Sequence, residues 1–168
     1  MNERQAILDL QQDSHEAFAW LVERYQEALM HLAYRLTGNN DHAQELVQET
    51  LWRLWQHRHS LDPRRPLKGW LVAVLARLNV DQWRKQHREV PLDPTLFVAP
   101  ARLDPRLERL EVCLRRLSPQ QRTVVVMFYT EGYRLREIAR ILGVQEGTVK
   151  THLFRARQAL KRCLEGSP

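Results

Sequence analysis

Cysteine is scarce in this 168-residue chain, which holds only Cys113 and Cys163, with no CxxC or CxxH spacing around either. Such a pair supplies neither a disulfide framework nor a zinc site, and both are expected to be reduced residues on helices. Long hydrophobic runs are missing too. No stretch approaches the roughly 18 apolar residues that cross a bilayer, and Met1-Asn2-Glu3-Arg4-Gln5 lacks the basic-then-apolar layout of a signal peptide. No membrane insertion and a cytoplasmic location are therefore expected. The chain also lacks a phosphate-cradling glycine loop, a metal-spaced cluster and a nucleophile paired with a base at a supporting spacing. These gaps argue against an enzyme and against any cofactor or metal. His57 and His59 fall in a polar loop and are expected to face solvent.

Positive charge is lacking in one place only. From residue 1 to 56 there are 4 Lys/Arg against 9 Asp/Glu, whereas residues 57–89 hold 8 against 3 and residues 118–168 hold 9 against 4. The whole chain carries a net charge of +6. Two basic stretches can grip a polyanion at two points, while the acidic first third is repelled by it and suits a protein partner. At 43% hydrophobic and 27% charged residues the composition is that of a folded globular protein with one or two small cores.

Helical periodicity accounts for most of the rest. Phe18, Leu21, Val22, Tyr25, Leu29, Leu32, Ala33 and Leu36 recur on one face, after a capping-box-like Asp13 and Glu16. Gly38-Asn39-Asn40 ends that helix, and Asp41 is placed to cap a second, with Leu46, Val47, Thr50, Leu51, Leu54 and Trp55 inward and an acidic face at Glu45 and Glu49. A third stripe runs through Leu67, Trp70, Leu71, Val74, Leu75 and Leu78 to the basic end Arg84, Lys85 and Arg88. Four of the eight prolines lie between Pro91 and Pro105, which places a flexible connector at 90–105 between units at 1–89 and 106–168. Beyond it, Leu107, Leu110, Leu114 and Leu117 mark a helix that stops at Ser118-Pro119-Gln120-Gln121, the pattern of a capped new start. Thr123 to Phe128 is rich in branched residues and could be read as a strand, but the strong start and the exit Gly132 favour a buried helix. The expected fold class is all-α, two small helical domains.

The segment from Tyr133 to Leu153 has the spacing of a helix-turn-helix. Ile138, Ala139 and Leu142 face inward from the first helix, Gly143 suits the turn, and Val149 and Leu153 anchor the second. That leaves Lys150, Thr151, Phe154, Arg155 and Arg157 outward, types that meet phosphates, base edges and thymine methyls in a major groove.

Here a resemblance becomes specific. Glu137-Ile138-Ala139, Gly147-Thr148-Val149-Lys150-Thr151 and Leu153-Phe154-Arg155-Ala156-Arg157 look like region four of the extracytoplasmic-function sigma factors. Ala43-Gln44-Glu45-Leu46-Val47-Gln48-Glu49-Thr50-Leu51 followed by Leu54-Trp55 resembles their region two. The resemblance implies an alternative sigma factor that directs core RNA polymerase to particular promoters. It implies contact with the β′ coiled coil through Glu45, Gln48, Glu49 and Trp52, contact of region four with the β flap, and an anti-sigma factor as a further partner. It also implies capture of the melted minus-ten strand by a loop at Leu61, Asp62, Pro63, Arg64 and Arg65, together with Trp70, Arg77, Arg84, Lys85 and Arg88. The minus-thirty-five element falls to Lys150, Thr151, Phe154, Arg155 and Arg157. Two positions depart from the family pattern: Arg77 stands where asparagine is frequent in the base pocket, and His152 where arginine is common beside the recognition surface. Rival readings are a stand-alone helix-turn-helix regulator and a helical adaptor whose basic faces are simply solvated.

Overall fold

The structure, a computed structural model, describes residues 1–86 and 105–166. The expected connector at 90–105 and Arg88 lie outside these residues, except that Pro105 opens a helix. Eight α-helices and no strand are present among the described residues.

The first half packs four helices: α1 (Glu3–Gln11), α2 (His15–Thr37), α3 (Asn40–Gln56) and α4 (Leu67–Gln86), with a short 3-10 turn at Arg58–Ser60. Their starts are set by capping side chains, two of which differ from the expected ones. Ser14 rather than Asp13 caps α2, its hydroxyl accepting from the Ala17 N–H at 3.1 Å, while Asp13 takes a positive φ of 64° in the preceding turn. Asn39 rather than Asp41 caps α3, accepting from the N–H groups of Asp41 and His42. In both cases the true cap lies where the backbone leaves the helix, which spacing of apolar residues resolves only to a residue or two. Gly38 closes α2 in the left-handed conformation, as expected.

Helix α1 was not anticipated, and it has a structural task. Ala6, Ile7 and Leu10 are buried against the bundle. Glu3 accepts hydrogen bonds from the Tyr25 hydroxyl and from the Leu67 N–H that starts α4 (2.9 Å), so one carboxylate joins three helices and satisfies an orphan helix-end donor. Burial and this carboxylate together push the Tyr25 phenol above its ordinary value.

The second half contains α5 (Pro105–Arg115), α6 (Pro119–Val125), a π-helical turn at Val126–Thr130, α7 (Leu135–Leu142) and α8 (Glu146–Leu164). Ser118, Pro119 and Gln121 form the expected capping box. Thr123 to Met127 are buried and helical, so the strong start prevailed over branched-residue preference. The expectation of two reduced cysteines is corrected: Cys113 on α5 and Cys163 on α8 form a disulfide across 50 residues of chain, with Cα atoms 5.7 Å apart. Helix α5 lies along α8, and that packing brings together two residues whose sequence spacing carries no signal.

The halves also touch. Helix α4 packs on α6 and α7, and α2 on α6. The centre of this contact is Arg122, only 7% exposed, whose guanidinium donates to the carbonyls of Leu114, Arg115 and Leu36 at 2.9, 2.7 and 3.0 Å. It thus satisfies backbone acceptors near the ends of α5 and α2. Burial, with a smaller contribution from Arg115, lowers its pKa to about 10, so it stays charged at neutral pH. Arg35 and Glu131 pair across the same seam at 3.6 Å.

Candidate nucleic-acid and polymerase interfaces

The helix-turn-helix is built as its spacing predicts. The Glu137 carboxylate accepts from the Arg134 N–H at 2.8 Å and starts α7, and Gly143, at φ 65°, turns the chain toward α8. Ile138, Ala139 and Leu142 from α7 and Val149, Leu153 and Ala156 from α8 are buried. Burying that stripe rotates Lys150, Thr151, Phe154, Arg155 and Arg157 into solvent. Phe154 is 60% exposed, a large apolar ring on an otherwise polar face. Lys150 pairs loosely with Glu146 at 3.7 Å, and the Thr151 hydroxyl donates back to the Gly147 carbonyl at 3.0 Å. Arg157 donates through Nε to the Tyr129 hydroxyl at 2.6 Å.

His152 sits at the edge of this face, half-buried, and its Nδ1 has no hydrogen-bond partner among the described residues. Burial, then Arg155 and Arg84, holds its pKa below the ordinary histidine value.

The second basic surface follows α4. Trp70, Arg77 and Arg84 recur every seven residues and share one helical face. Trp70 is half-buried against the core, its ring centroid 6.3 Å from that of His57, whereas Arg84 and Lys85 are exposed. His57 and His59 are exposed as expected. Arg77 is exposed but engaged: its Nε donates to the Ile141 carbonyl at 2.9 Å and its Nη2 to that of Arg140 at 3.4 Å, at the C-terminal end of α7. A cation at that end meets orphan carbonyls and the negative pole of the helix dipole.

Within the preceding loop the five expected residues separate into different tasks. Leu61 is buried and anchors the loop through its side chain, and its carbonyl accepts from Gln11 at 2.9 Å. Asp62 staples the turn, accepting from the Arg64 N–H and Nε, each at 3.0 Å. The Arg64 hydrogen bonds hold the Asp62 carboxyl below its usual range. Pro63 is partly exposed, and Arg64 and Arg65 project outward.

On α3 the opposite chemistry is presented by the same packing rule. Ala43, Leu46, Val47, Thr50 and Leu54 are buried, so Glu45, Gln48 and Trp52 face out, with Trp52 54% exposed. Glu49 is half-buried and accepts from the Arg53 Nε at 3.1 Å. Trp55, expected in the core, is half-buried and enclosed by His15, Phe18 and Arg58. Sequence reading missed Tyr129 beside α8, where an aromatic pair just before Gly132 was the available sign.

Two family matches fall on these surfaces. Residues 21–89 match Sigma-70 region 2, and residues 107–160 match Sigma-70, region 4. Both matches, in this order on an all-helical chain, define a sigma factor of the sigma-70 class. Among the similar proteins is the ECF RNA polymerase sigma factor SigL of Mycobacterium tuberculosis, 34% identical, with 95% of this chain and 90% of that protein covered. SigW of Bacillus subtilis is 29% identical, with 96% of each chain covered. Among solved structures, the sigma factor RpoE in complex with the anti-sigma factor NepR from Bartonella quintana is similar with a TM-score of 0.69 and 30% identity, over 88% of this chain and 96% of that one. CnrH in complex with the cytosolic domain of CnrY gives 0.66 and 25%, over 99% of both chains. The chain belongs to the extracytoplasmic-function family and is an alternative sigma factor.

Proposed function

We propose a division of labour in which residues 1–89 dock on core RNA polymerase and capture the melted minus-ten strand, and residues 106–168 read the minus-thirty-five element. The observation that carries this reading is the pairing of two similarly packed helices with opposite outer faces. On α3, Glu45, Gln48, Glu49 and Trp52 offer acid and one exposed indole to a protein partner, the β′ coiled coil. On α8, Lys150, Thr151, Phe154, Arg155 and Arg157 offer cations, a hydroxyl and an apolar ring to a major groove.

Opening a duplex requires cations along the single strand and a place for an unstacked base. Arg64, Arg65, Trp70, Arg84 and Lys85 supply the first and flank the second, with Leu61 and Asp62 shaping the loop behind them. Arg77 must leave the α7 carbonyls before it can approach DNA. Arg88 is assigned to the same strand by its place in the basic run. The protein serves as a non-catalytic specificity subunit acting in the cytoplasm, with the β flap as a second polymerase contact and an anti-sigma factor as its inhibitor. Mounting both halves on one polymerase raises the effective concentration of each for its promoter element.

The test is run-off transcription with core polymerase on fragmented genomic DNA, with and without the protein. Discrete starts that need the protein and share two spaced sequence blocks support the reading. Sequence-specific DNA binding by the protein alone, without new starts, refutes it and favours a stand-alone regulator.

A further inference from the structure

Tyr129 belongs to no expected site, yet it holds one of the recognition-helix cations. Its position arises from the π-helical turn at Val126–Thr130, where the Glu131 N–H donates to the Val126 carbonyl five residues back at 3.1 Å. One extra residue in the turn shifts the register of the side chains that follow. Val126 and Met127 stay in the core, Phe128 is half-buried, and Tyr129 emerges 57% exposed toward α8. There Arg157 Nε donates to the Tyr129 hydroxyl, and the guanidinium carbon lies 5.5 Å from the Tyr129 ring centroid and 5.9 Å from that of Phe128. The two rings meet edge to face at 5.0 Å and form a bed for the arginine.

The arrangement differs from that of Lys150, which leans on a carboxylate of its own helix. No ion pair engages Arg157 among the described residues, so its charge is held in place without being neutralised. Arg157 follows Lys150 by seven residues and Phe154 by three, placing all three on one face of α8. An exposed arginine loses considerable rotamer freedom when it binds a phosphate, and an aromatic bed with one hydrogen bond removes part of that freedom in advance.

We propose that Tyr129 is a positioning residue for promoter binding: it presents the Arg157 guanidinium to a backbone phosphate beside the minus-thirty-five element. The proposal rests on the reading of α8 as the recognition helix. Because a phosphate carries no sequence information, the pair contributes affinity rather than choice of sequence.

The test uses holoenzyme reconstituted from core polymerase and the full chain. Its affinity for a promoter duplex recovered by run-off mapping, and for the same duplex with a scrambled minus-thirty-five block, is measured across a salt series. Y129F keeps the ring and removes the hydroxyl, R157K keeps the charge and removes the planar fork, and K150A probes the recognition helix itself. R157A is expected to reduce the salt slope by about one and to weaken both duplexes by a similar factor. Y129F and R157K are each expected to weaken binding about threefold to tenfold, and Y129F combined with R157A to be no worse than R157A. Y129F indistinguishable from the parent, or losses that add in the double variant, would overturn the pair while a K150A loss leaves the recognition helix intact. Unchanged binding by K150A would instead overturn the reading of α8 on which the pair depends.

Discussion

Helices α3 and α8 are built alike and face opposite worlds. Each buries a stripe at helical spacing, Leu46, Val47 and Leu54 in one and Val149, Leu153 and Ala156 in the other. Each leaves a large aromatic exposed, Trp52 or Phe154, among charges of a single prevailing sign. Burial therefore decides only which way the helix is turned. The residues that packing leaves outside set the chemistry each face offers, acidic on α3 and basic on α8. The halves differ further in how they are secured, since α8 is tied to α5 by a disulfide whereas the end of α3 is held by non-covalent contacts such as the Arg58 hydrogen bond to the Trp55 carbonyl.

That covalent difference gives the largest expected effect. Closing a loop of 50 residues removes about 4 kcal/mol of unfolded-state entropy. Replacing both Cys113 and Cys163 by serine, or adding reductant to the parent, should lower the melting temperature of the second half and leave the first unaffected. Hydrogen exchange resolved by residue distinguishes the two halves, and equal loss in both would show that they unfold as one unit.

Truncating the matching buried leucines comes next. Leu46→Ala and Leu153→Ala should each cost about 3 kcal/mol, measured by denaturant unfolding. Arg122→Ala belongs with them, at about 3 kcal/mol, because it strands the carbonyls of Leu36, Leu114 and Arg115 away from water. Its loss should fall on both halves, since Arg122 joins α6 to the end of α2.

Exchanging the outer faces tests the functional half of the comparison. Arg155→Ala should weaken minus-thirty-five binding by about 1–3 kcal/mol with core binding unchanged. Glu45→Lys with Glu49→Lys should do the reverse, at least tenfold on core affinity in a titration with labelled protein (about 1.4 kcal/mol or more). Selective loss in one assay for each variant is the expected result, and parallel losses would break the division of labour.

The smallest effect is a pH dependence from His152. Its folded pKa lies below the ordinary 6.5, so the unfolded chain takes up the proton first as pH falls. The stabilising contribution is complete above 6.5 and is lost as pH drops toward the folded value. His152→Gln should flatten stability over that window in thermal unfolding measured at a series of pH values.

Much of this was legible in local sequence. The α7 and α8 stripes, the Ser118 capping box and the Gly143 turn depend on neighbours within a few residues, and the structure has them where spacing placed them. Helix α1 escaped because its short apolar stripe of Ala6, Ile7 and Leu10 gains meaning only when packed against α2. Leu61 escaped for a related reason: a loop residue in a polar stretch gives no local sign that its side chain turns inward.

By itself, the sequence determined the helical fold class, the orientation of each amphipathic face and the contrast between an acidic first third and basic later segments, because periodicity, capping and charge are short-range properties. The tertiary structure alone decided the Cys113–Cys163 bond, the burial of Arg122, the hold of Arg77 on α7 and that of Tyr129 on Arg157. Each of these joins residues between 28 and 86 positions apart. At such separations, which groups meet is set by the way whole helices pack, and no local pattern along the chain encodes it.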